Sequence, residues 1–167
     1  MSGIVIRVMR DGDVPDLALI FHRAVQEGAA GHYDQAQRDG WSPSVPSNAG
    51  WAARLVGFTV LVAEAGGAPV GFVAMDGAGL VDLLFVRPDR ARQGIGAALL
   101  ARATAAAREA GLVQMTAEAS ALSAGLFSKA GWRETGLRER GEGAGRVTNR
   151  LFARNLGPSP LPATGVS

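Results

Sequence analysis

The chain has 167 residues, which is the length of one domain with enough core to fold alone. It contains no cysteine and two histidines, which excludes disulfides and thiolate metal sites and predicts no bound metal. The net charge is +2 and basic residues are scattered among acids, so no nucleic-acid partner is expected. No apolar run approaches the ~20 residues that span a bilayer, and the first residues lack the apolar core of a signal peptide. We therefore expect a cytoplasmic protein without a membrane partner.

Apolar periodicity and turn residues divide the first part of the chain into one strand and three helices. The strand covers residues 4–9. Asp13 is a natural N-cap for the first helix, which ends at Gly28 to Gly31. The other two helices are expected over residues 32–41 and 49–55.

The second part of the chain has three strands, a helix, a strand, a helix and two strands, and glycines follow both predicted helices as C-caps. The strand at 80–86 is apolar on both faces and should be central in its sheet. This order predicts an α/β or α+β fold with a mixed sheet. The expected strands are 58–64, 70–75, 80–86, 112–117, 132–140 and 146–155, and the helices are 94–110 and 120–130.

A glycine-containing loop, Gly94-Ile95-Gly96, joins the central strand to the longest helix. The first N–H groups of a helix have no internal partner, so strand, loop and helix together form a phosphate cradle. Arg87, Arg90 and Arg92 add positive charge there. A P-loop would need Gly-Lys-Ser/Thr after its glycines, whereas Gly96 is followed by Ala97-Ala98. A dinucleotide fingerprint fits poorly, because Leu99 stands at its third small position, but it is not excluded.

The same stretch resembles the acyl-CoA-binding motif of the GNAT superfamily of N-acetyltransferases. That motif is an apolar strand ending in Leu-aromatic-Val, then x-Pro, then Gln/Arg-x-x-Gly-x-Gly/Ala. The chain carries Leu84-Phe85-Val86, Pro88 and Arg92-Gln93-Gly94-Ile95-Gly96, but Ala91 at the first Gln/Arg position. The resemblance extends from about Ile4 to Leu156. It implies one domain over 1–156, with a mixed, mostly antiparallel sheet of about seven strands flanked by helices, and a Pro-rich disordered tail over 157–167.

The resemblance also implies acetyl-CoA as co-substrate, held along the central strand like an added strand and at the loop by backbone N–H groups. Ser120 stands where the family often has an Asn that bonds pantetheine, and a plain N-cap is the equal alternative. The implied cofactor-binding residues are Leu84, Phe85, Val86, Arg92, Gln93, Gly94, Ile95, Gly96, Ala97, Ser120 and Phe127.

Asp82 interrupts the apolar run of the central strand, and period two places it on the same face as Leu84. A carboxylate in apolar surroundings should have a raised pKa, which suits a general base. Its position matches a catalytic carboxylate of many family members. A structural Asp bonded to backbone or to an Arg is the alternative.

The family's usual proton donor, a Tyr in the penultimate helix, is absent because Phe127 occupies its position. Tyr33 is the only tyrosine of the chain, and the early helical region around it lines the acceptor site in this fold. It is therefore the replacement candidate for general acid, unless its hydroxyl only bonds backbone.

Four further residues are candidates for contact with the acceptor: His32, Trp41, Glu118 and Asn149. Each has a simpler explanation, as solvated, core or surface-strand residues. A narrower resemblance, to a bacterial subgroup of YafP-type acetyltransferases, rests on His32-Tyr33, Trp51, Asp82 to Val86, Glu118-Ala119-Ser120 and Phe127-x-x-x-Gly131.

The sequence thus favours an acetyl-CoA-dependent N-acetyltransferase that acts on a primary amine of a small molecule or peptide by direct transfer in a ternary complex. A non-catalytic acyl-CoA-binding regulatory module is the alternative, because of Phe127 and Ala91. A nucleotide-binding domain is a third and weaker hypothesis. A homodimer is left open.

Overall fold

A computed structural model describes residues 3–158 of the chain, so all but the first two residues of the predicted tail, 157–167, lie outside the described part. The described residues form five helices and seven strands, with short 3-10 turns, one π-turn after the first helix and connecting loops. The helices are α1 (Val14–Arg23), α2 (Gln35–Trp41), α3 (Asn48–Leu55), α4 (Ile95–Glu109) and α5 (Ala124–Lys129). The strands are β1 (Ile4–Val8), β2 (Thr59–Ala65), β3 (Ala68–Met75), β4 (Leu80–Val86), β5 (Gln114–Ala119), β6 (Arg133–Arg140) and β7 (Val147–Asn155).

The seven strands form one sheet in the order β1-β2-β3-β4-β5-β7-β6. All neighbouring strands are antiparallel except β4 and β5, which are parallel because α4 connects them as a crossover. The expected mixed, mostly antiparallel sheet of about seven strands is therefore confirmed, and β4 is its central strand.

Two apolar cores cover the two faces of the sheet. One packs α4 and α5 against it and is built around Leu99, Met115 and Phe127. The other packs α1 and α3 on the opposite face, around Trp51 and Phe72. Both faces of the central strand are thus covered, which explains why its sequence is apolar almost throughout.

Three local predictions differ from the structure. Asp13 occupies the N-cap position of α1 as expected, but its carboxylate makes no cap bond, because it accepts hydrogen bonds from the Arg7 guanidinium and the Arg10 backbone N–H instead. The second helix begins at Gln35 rather than at residue 32, since Asp34 is its N-cap and accepts from Gln37. The helix expected over 120–130 is shorter, Ala124–Lys129, because the chain first makes a turn after β5.

The strands β4 and β5 separate soon after they begin to pair. Their register holds only at Leu80 with Thr116 and Val81 with Ala117. β4 then continues to pair with β3 up to Val86, whereas β5 follows β7 along its whole length. A wedge-shaped opening therefore lies in the middle of the sheet, next to the loop that begins α4.

Candidate active site

A cavity of about 450 Å³ occupies the opening between β4 and β5. Five residues of β4 line it in succession, Val81 to Phe85, and residues of the last three strands and of α2, α3 and α5 close it. The other lining residues are Gly40, Trp41, Arg54, Glu118, Ser120, Ser123, Phe127, Arg140, Gly141, Gly145, Val147 and Asn149.

Asp82 lies at a β-bulge of β4. Ala74 of β3 pairs with Leu83 but the next residue, Met75, pairs with Val81, so Asp82 is the extra residue of β4. The bulge interrupts the alternation of faces: Val81 belongs to the core under α4, whereas Leu83 belongs to the core under α1 and α3. Asp82 contacts Arg54 of α3, on the face opposite to the core beside which Leu84 packs, so the prediction that Asp82 shares a face with Leu84 is wrong.

The bulge directs the Asp82 carboxylate toward α3, where it forms an ion pair with Arg54. The Asp82 side chain is 29% exposed and lines the cavity, so the expected apolar surroundings are absent. Only Oδ2 of Asp82 has a hydrogen-bond partner among residues 3–158. Its other oxygen, Oδ1, can therefore accept a hydrogen bond from a bound molecule.

Glu118 of β5 lies across the cavity and is surrounded by hydrogen-bond donors. Arg140 grips it with two bonds of 2.7 Å, Asn149 Nδ2 donates to Oε1 at 3.1 Å, and Arg138 lies 3.5 Å from Oε2. The Arg140 guanidinium holds the pKa of Glu118 below its usual value and Asn149 acts the same way, whereas burial opposes both. Glu118 is therefore an ionised, saturated carboxylate that positions Arg140.

The depressed pKa of Glu118 predicts how this network responds to acid. A carboxyl group whose pKa is lower in the folded state adds stability above its unfolded pKa, about 4.3. That stability is lost as pH falls through the lower folded pKa. The difference in unfolding free energy between wild type and Glu118→Gln should thus be largest above about pH 5 and shrink below it.

Urea unfolding at several pH values measures this difference. Glu109→Gln, at the exposed end of α4, is the matched control for the loss of one carboxylate outside this network. A Glu118→Gln difference that stayed constant down to about pH 3 would contradict the ionised network.

The loop before α4 has an unusual backbone. Gly94 has φ 79° and Arg92 has φ 61°, both in the left-handed region that side chains rarely adopt. α4 begins at Ile95, which is buried, and its first internal bond is donated by Ala98 to Gly94 at 3.0 Å. The N–H groups of Gly96 and Ala97 have no recorded backbone partner among residues 3–158 and can receive an anion.

Gly96 serves packing and not only ligand access. A Cβ built on it would lie 3.1 Å from Leu126 Cδ2 of α5. The absence of a side chain therefore lets α5 approach the first turn of α4, beside the cavity.

The backbone edge of β4 also faces the opening. Arg87 N donates to Val70 O at 2.8 Å, and antiparallel pairing alternates along the strand, so residues 83 and 85 bond β3. The N–H and C=O groups of Leu84 and Val86 consequently point toward β5, which has already diverged. An extended ligand could bond this edge as an added strand.

Phe127 fills the position of the missing tyrosine and is buried. Its ring stacks on Phe152 at 5.5 Å and meets Trp132 edge-on at 5.0 Å. The Phe127 side chain is 1% exposed although it borders the cavity. It offers a ligand only an apolar edge.

Tyr33 lies outside the lining of the cavity and is 8% exposed. Its hydroxyl accepts a hydrogen bond of 2.7 Å from the Ala121 backbone N–H, in the turn that follows β5. Tyr33 thus joins the segment before α2 to the turn that carries Ser120 and Ser123.

Tyr33→Phe should destabilise the protein by about 1 kcal/mol, the usual net value of one such hydrogen bond. Turnover should fall less than tenfold, since the hydroxyl does not face the cavity. Urea unfolding and steady-state kinetics measure the two effects. A loss of about 10²-fold or more in turnover at unchanged stability would instead identify Tyr33 as the proton donor.

The remaining predicted residues divide between the cavity and its surroundings. Trp41 lines the cavity and meets Tyr33 and Phe85 through its ring. Asn149 also lines it, and its buried Oδ1 has no partner within the described part of the chain. His32 is exposed in the turn before α2 and does not line the cavity. Gln93 of the loop and Ala97 of the first turn of α4 are exposed, and Val86 packs beside the core under α4.

Sequence reasoning missed Arg54, Ser123 and Arg140. Arg54 and Arg140 reach the site from α3 and the end of β6, and each contacts a carboxylate more than 20 residues away. Their only sequence signal is an Arg on an exposed element, which is not specific. Ser123 stands just before α5 without a side-chain cap bond, so its hydroxyl is available to the cavity.

No group of three or more acidic or histidine side chains in residues 3–158 could hold a metal ion. Within the same range, no helix has the length and apolar character needed to cross a bilayer.

The fold and the opening at its centre define a domain of the GNAT type. The model of the acetyltransferase (GNAT) domain matches residues 29–148, and the chain belongs to that family. The uncharacterized N-acetyltransferase YafP of Escherichia coli K12 is 37% identical over 100 residues, 60% of this chain and 65% of YafP. The chain thus matches less than two thirds of that relative's length.

Solved structures agree with the fold. A GCN5-related N-acetyltransferase from Rhodopseudomonas palustris is 28% identical, with a TM-score of 0.86 over 93% of this chain and 98% of that one. A phosphinothricin acetyltransferase from Sinorhizobium meliloti, solved with acetyl-CoA, is 23% identical, with a TM-score of 0.74 over 98% and 97% of the two chains.

Proposed function

We propose that the protein transfers the acetyl group of acetyl-CoA to a primary amine while both are bound. The observation that carries this proposal is the opening between β4 and β5, which has a free backbone edge on one side and the Asp82 carboxylate in the lining of the same cavity. Family membership and a structural neighbour solved with acetyl-CoA support the choice of acyl donor.

The residues around the opening fit such a donor. The N–H groups of Gly96 and Ala97 would hold its pyrophosphate, and Arg92 lies in the same exposed loop. The backbone of Leu84 and Val86 would bond the pantetheine arm, with Phe85, Ser120 and Phe127 around the opening. Acetyl-CoA supplies an activated thioester.

Asp82 would accept a proton from the amine, directly or through water, at its unpaired Oδ1. As the new C–N bond forms, the C–S bond breaks and the thiolate takes up one proton. The products are an N-substituted acetamide and free CoA. We assign the second proton transfer to water in the cavity, with Tyr33 as the alternative donor, because Phe127 carries no hydroxyl.

The test combines binding and turnover. Calorimetry should show acetyl-CoA binding, and free CoA should be released in proportion to acetylated amine in a panel of amino acids, amines and peptides. Desulfo-CoA, which lacks the reactive sulfur, should bind but give no product. Absence of acetyl-CoA binding would contradict the proposal.

A non-catalytic acyl-CoA-binding module is the second candidate. The burial of Phe127 and the position of Tyr33 favour it, because neither supplies a proton donor inside the cavity. Tight acetyl-CoA binding, together with only slow thioester hydrolysis across the whole panel, would support this candidate over the enzyme.

A further inference from the structure

Arg54 is held at the wall of the cavity with most of its donors unused. Its Nη2 donates to Asp82, and its guanidinium carbon lies 5.5 Å from the centre of the Phe58 ring. The Nε and Nη1 groups of Arg54 have no recorded partner among residues 3–158. The side chain is 43% exposed, so this planar donor group is positioned but accessible.

Arg54 and Asp82 therefore present an unusual combination on one wall. The guanidinium offers free N–H donors suited to a carboxylate, and beside it Oδ1 of Asp82 offers a free acceptor suited to an amine. A molecule that complements both must carry an anionic group and an amine on neighbouring atoms. An α-amino carboxylate has that arrangement.

The opposite wall does not provide a site for a second cation. Glu118 is the only other carboxylate that lines the cavity within the described part, and Arg140, Arg138 and Asn149 already saturate it. The guanidinium groups of Arg138 and Arg140 are about half exposed there. This wall disfavours polyamines and favours a neutral or acidic side chain.

We propose that the acceptor is a free α-amino acid, with its carboxylate on Arg54 and its amine at Asp82. This inference rests on the proposed function and narrows it. A peptide N-terminus would not satisfy the same site, because its α-carboxyl is an amide. Arg54 is in this view a specificity-determining residue, whereas Asp82 serves the chemistry.

The decisive measurement compares acceptors that differ only in the carboxylate. Leucine, leucinamide and 3-methylbutylamine form one series, and phenylalanine, phenylalaninamide and phenethylamine form another. In at least one series the acid should have kcat/KM about tenfold or more above its amide and amine, as expected for one charge-assisted hydrogen-bonded pair. The comparison of acid with amide decides, because the amide has the larger fraction of neutral amine near about pH 8 and amine basicity therefore cannot produce a preference for the acid over it.

Arg54→Gln should remove the preference by lowering kcat/KM for the acid about tenfold more than for the amine. Any effect that acts through its partner Asp82 is common to both acceptors and cancels in this ratio. Arg54→Lys should recover part of the preference for the acid. Arg108→Gln, which removes an exposed charge from α4, is the matched control and should change neither acceptor. Acetyl-CoA affinity of each variant reports that the fold is intact.

Two results would overturn the inference. Equal or better use of the amide and amine by the wild type would remove the carboxylate requirement while acetyl transfer stands. Acetylation of peptides or polyamines, with none of any amino acid, would do the same. Failure to bind acetyl-CoA is a separate result and would instead overturn the proposed function.

Discussion

Asp82→Asn should lower kcat/KM for acetyl transfer by about 10²- to 10⁴-fold, the range associated with loss of a positioned general base. The substitution keeps the shape of the side chain and one hydrogen-bond acceptor for Arg54, but the amide cannot take a proton from the amine. The dissociation constant for acetyl-CoA should stay within about twofold, because the cofactor contacts lie further along β4 and in the loop before α4.

The bulge makes this prediction specific to Asp82. It directs the carboxylate out of the strand's regular alternation and toward α3, whereas Leu83 and Phe85 remain in the apolar core. A purely structural role would instead predict a loss of about 0–1 kcal/mol of stability, the contribution of a partly exposed ion pair, with little loss of turnover. Unfolding and turnover measurements together therefore separate the two roles.

Asp16→Asn is the matched control, because Asp16 is exposed in the first turn of α1, away from the cavity lining. It should leave kcat/KM unchanged. Wild-type turnover by Asp82→Asn, at wild-type acetyl-CoA affinity, would show that the carboxylate is not the base.

Local sequence signals were sufficient to predict the strand, loop and helix at the centre of the fold. Gly94 and the apolar run before it are neighbours in the chain, so strand, loop and helix could be predicted without tertiary information. Apolar residues on both faces of β4 also predicted that it is the central strand. The mixed sheet of about seven strands needed the family resemblance in addition, because periodicity does not determine strand order.

The chemistry of the cavity was less accessible from the sequence. One inserted residue at the bulge reverses the face of Asp82, and a period of two cannot reveal it. The Asp82 to Arg54 contact spans 28 residues and the Tyr33 to Ala121 contact spans 88. Such pairs depend on the packing of separate elements, so local patterns placed the carboxylate correctly in the strand but assigned it the wrong surroundings.

Gly94→Ala should weaken acetyl-CoA binding by about tenfold or more. Gly94 has φ 79°, where a side chain costs about 1–2 kcal/mol relative to the right-handed region. The loop can relieve that strain by rotating Gly94, which would move the carbonyl that accepts from Ala98 and turn the first N–H groups of α4. If the binding conformation falls to about a tenth of the population, the dissociation constant rises by the inverse of that fraction.

Gly125→Ala provides the matched control on the neighbouring helix α5. A Cβ there would meet nothing within 4 Å and Gly125 is not among the residues of positive φ, so the added methyl group introduces no strain. Gly94→Asn should recover much of the lost affinity, since Asn adopts the left-handed conformation more readily than Ala. Calorimetry with acetyl-CoA measures all three variants. Equal dissociation constants for Gly94→Ala and Gly125→Ala would show that cofactor binding does not depend on the left-handed turn, and the anion would then have to be held by side chains such as Arg92 alone.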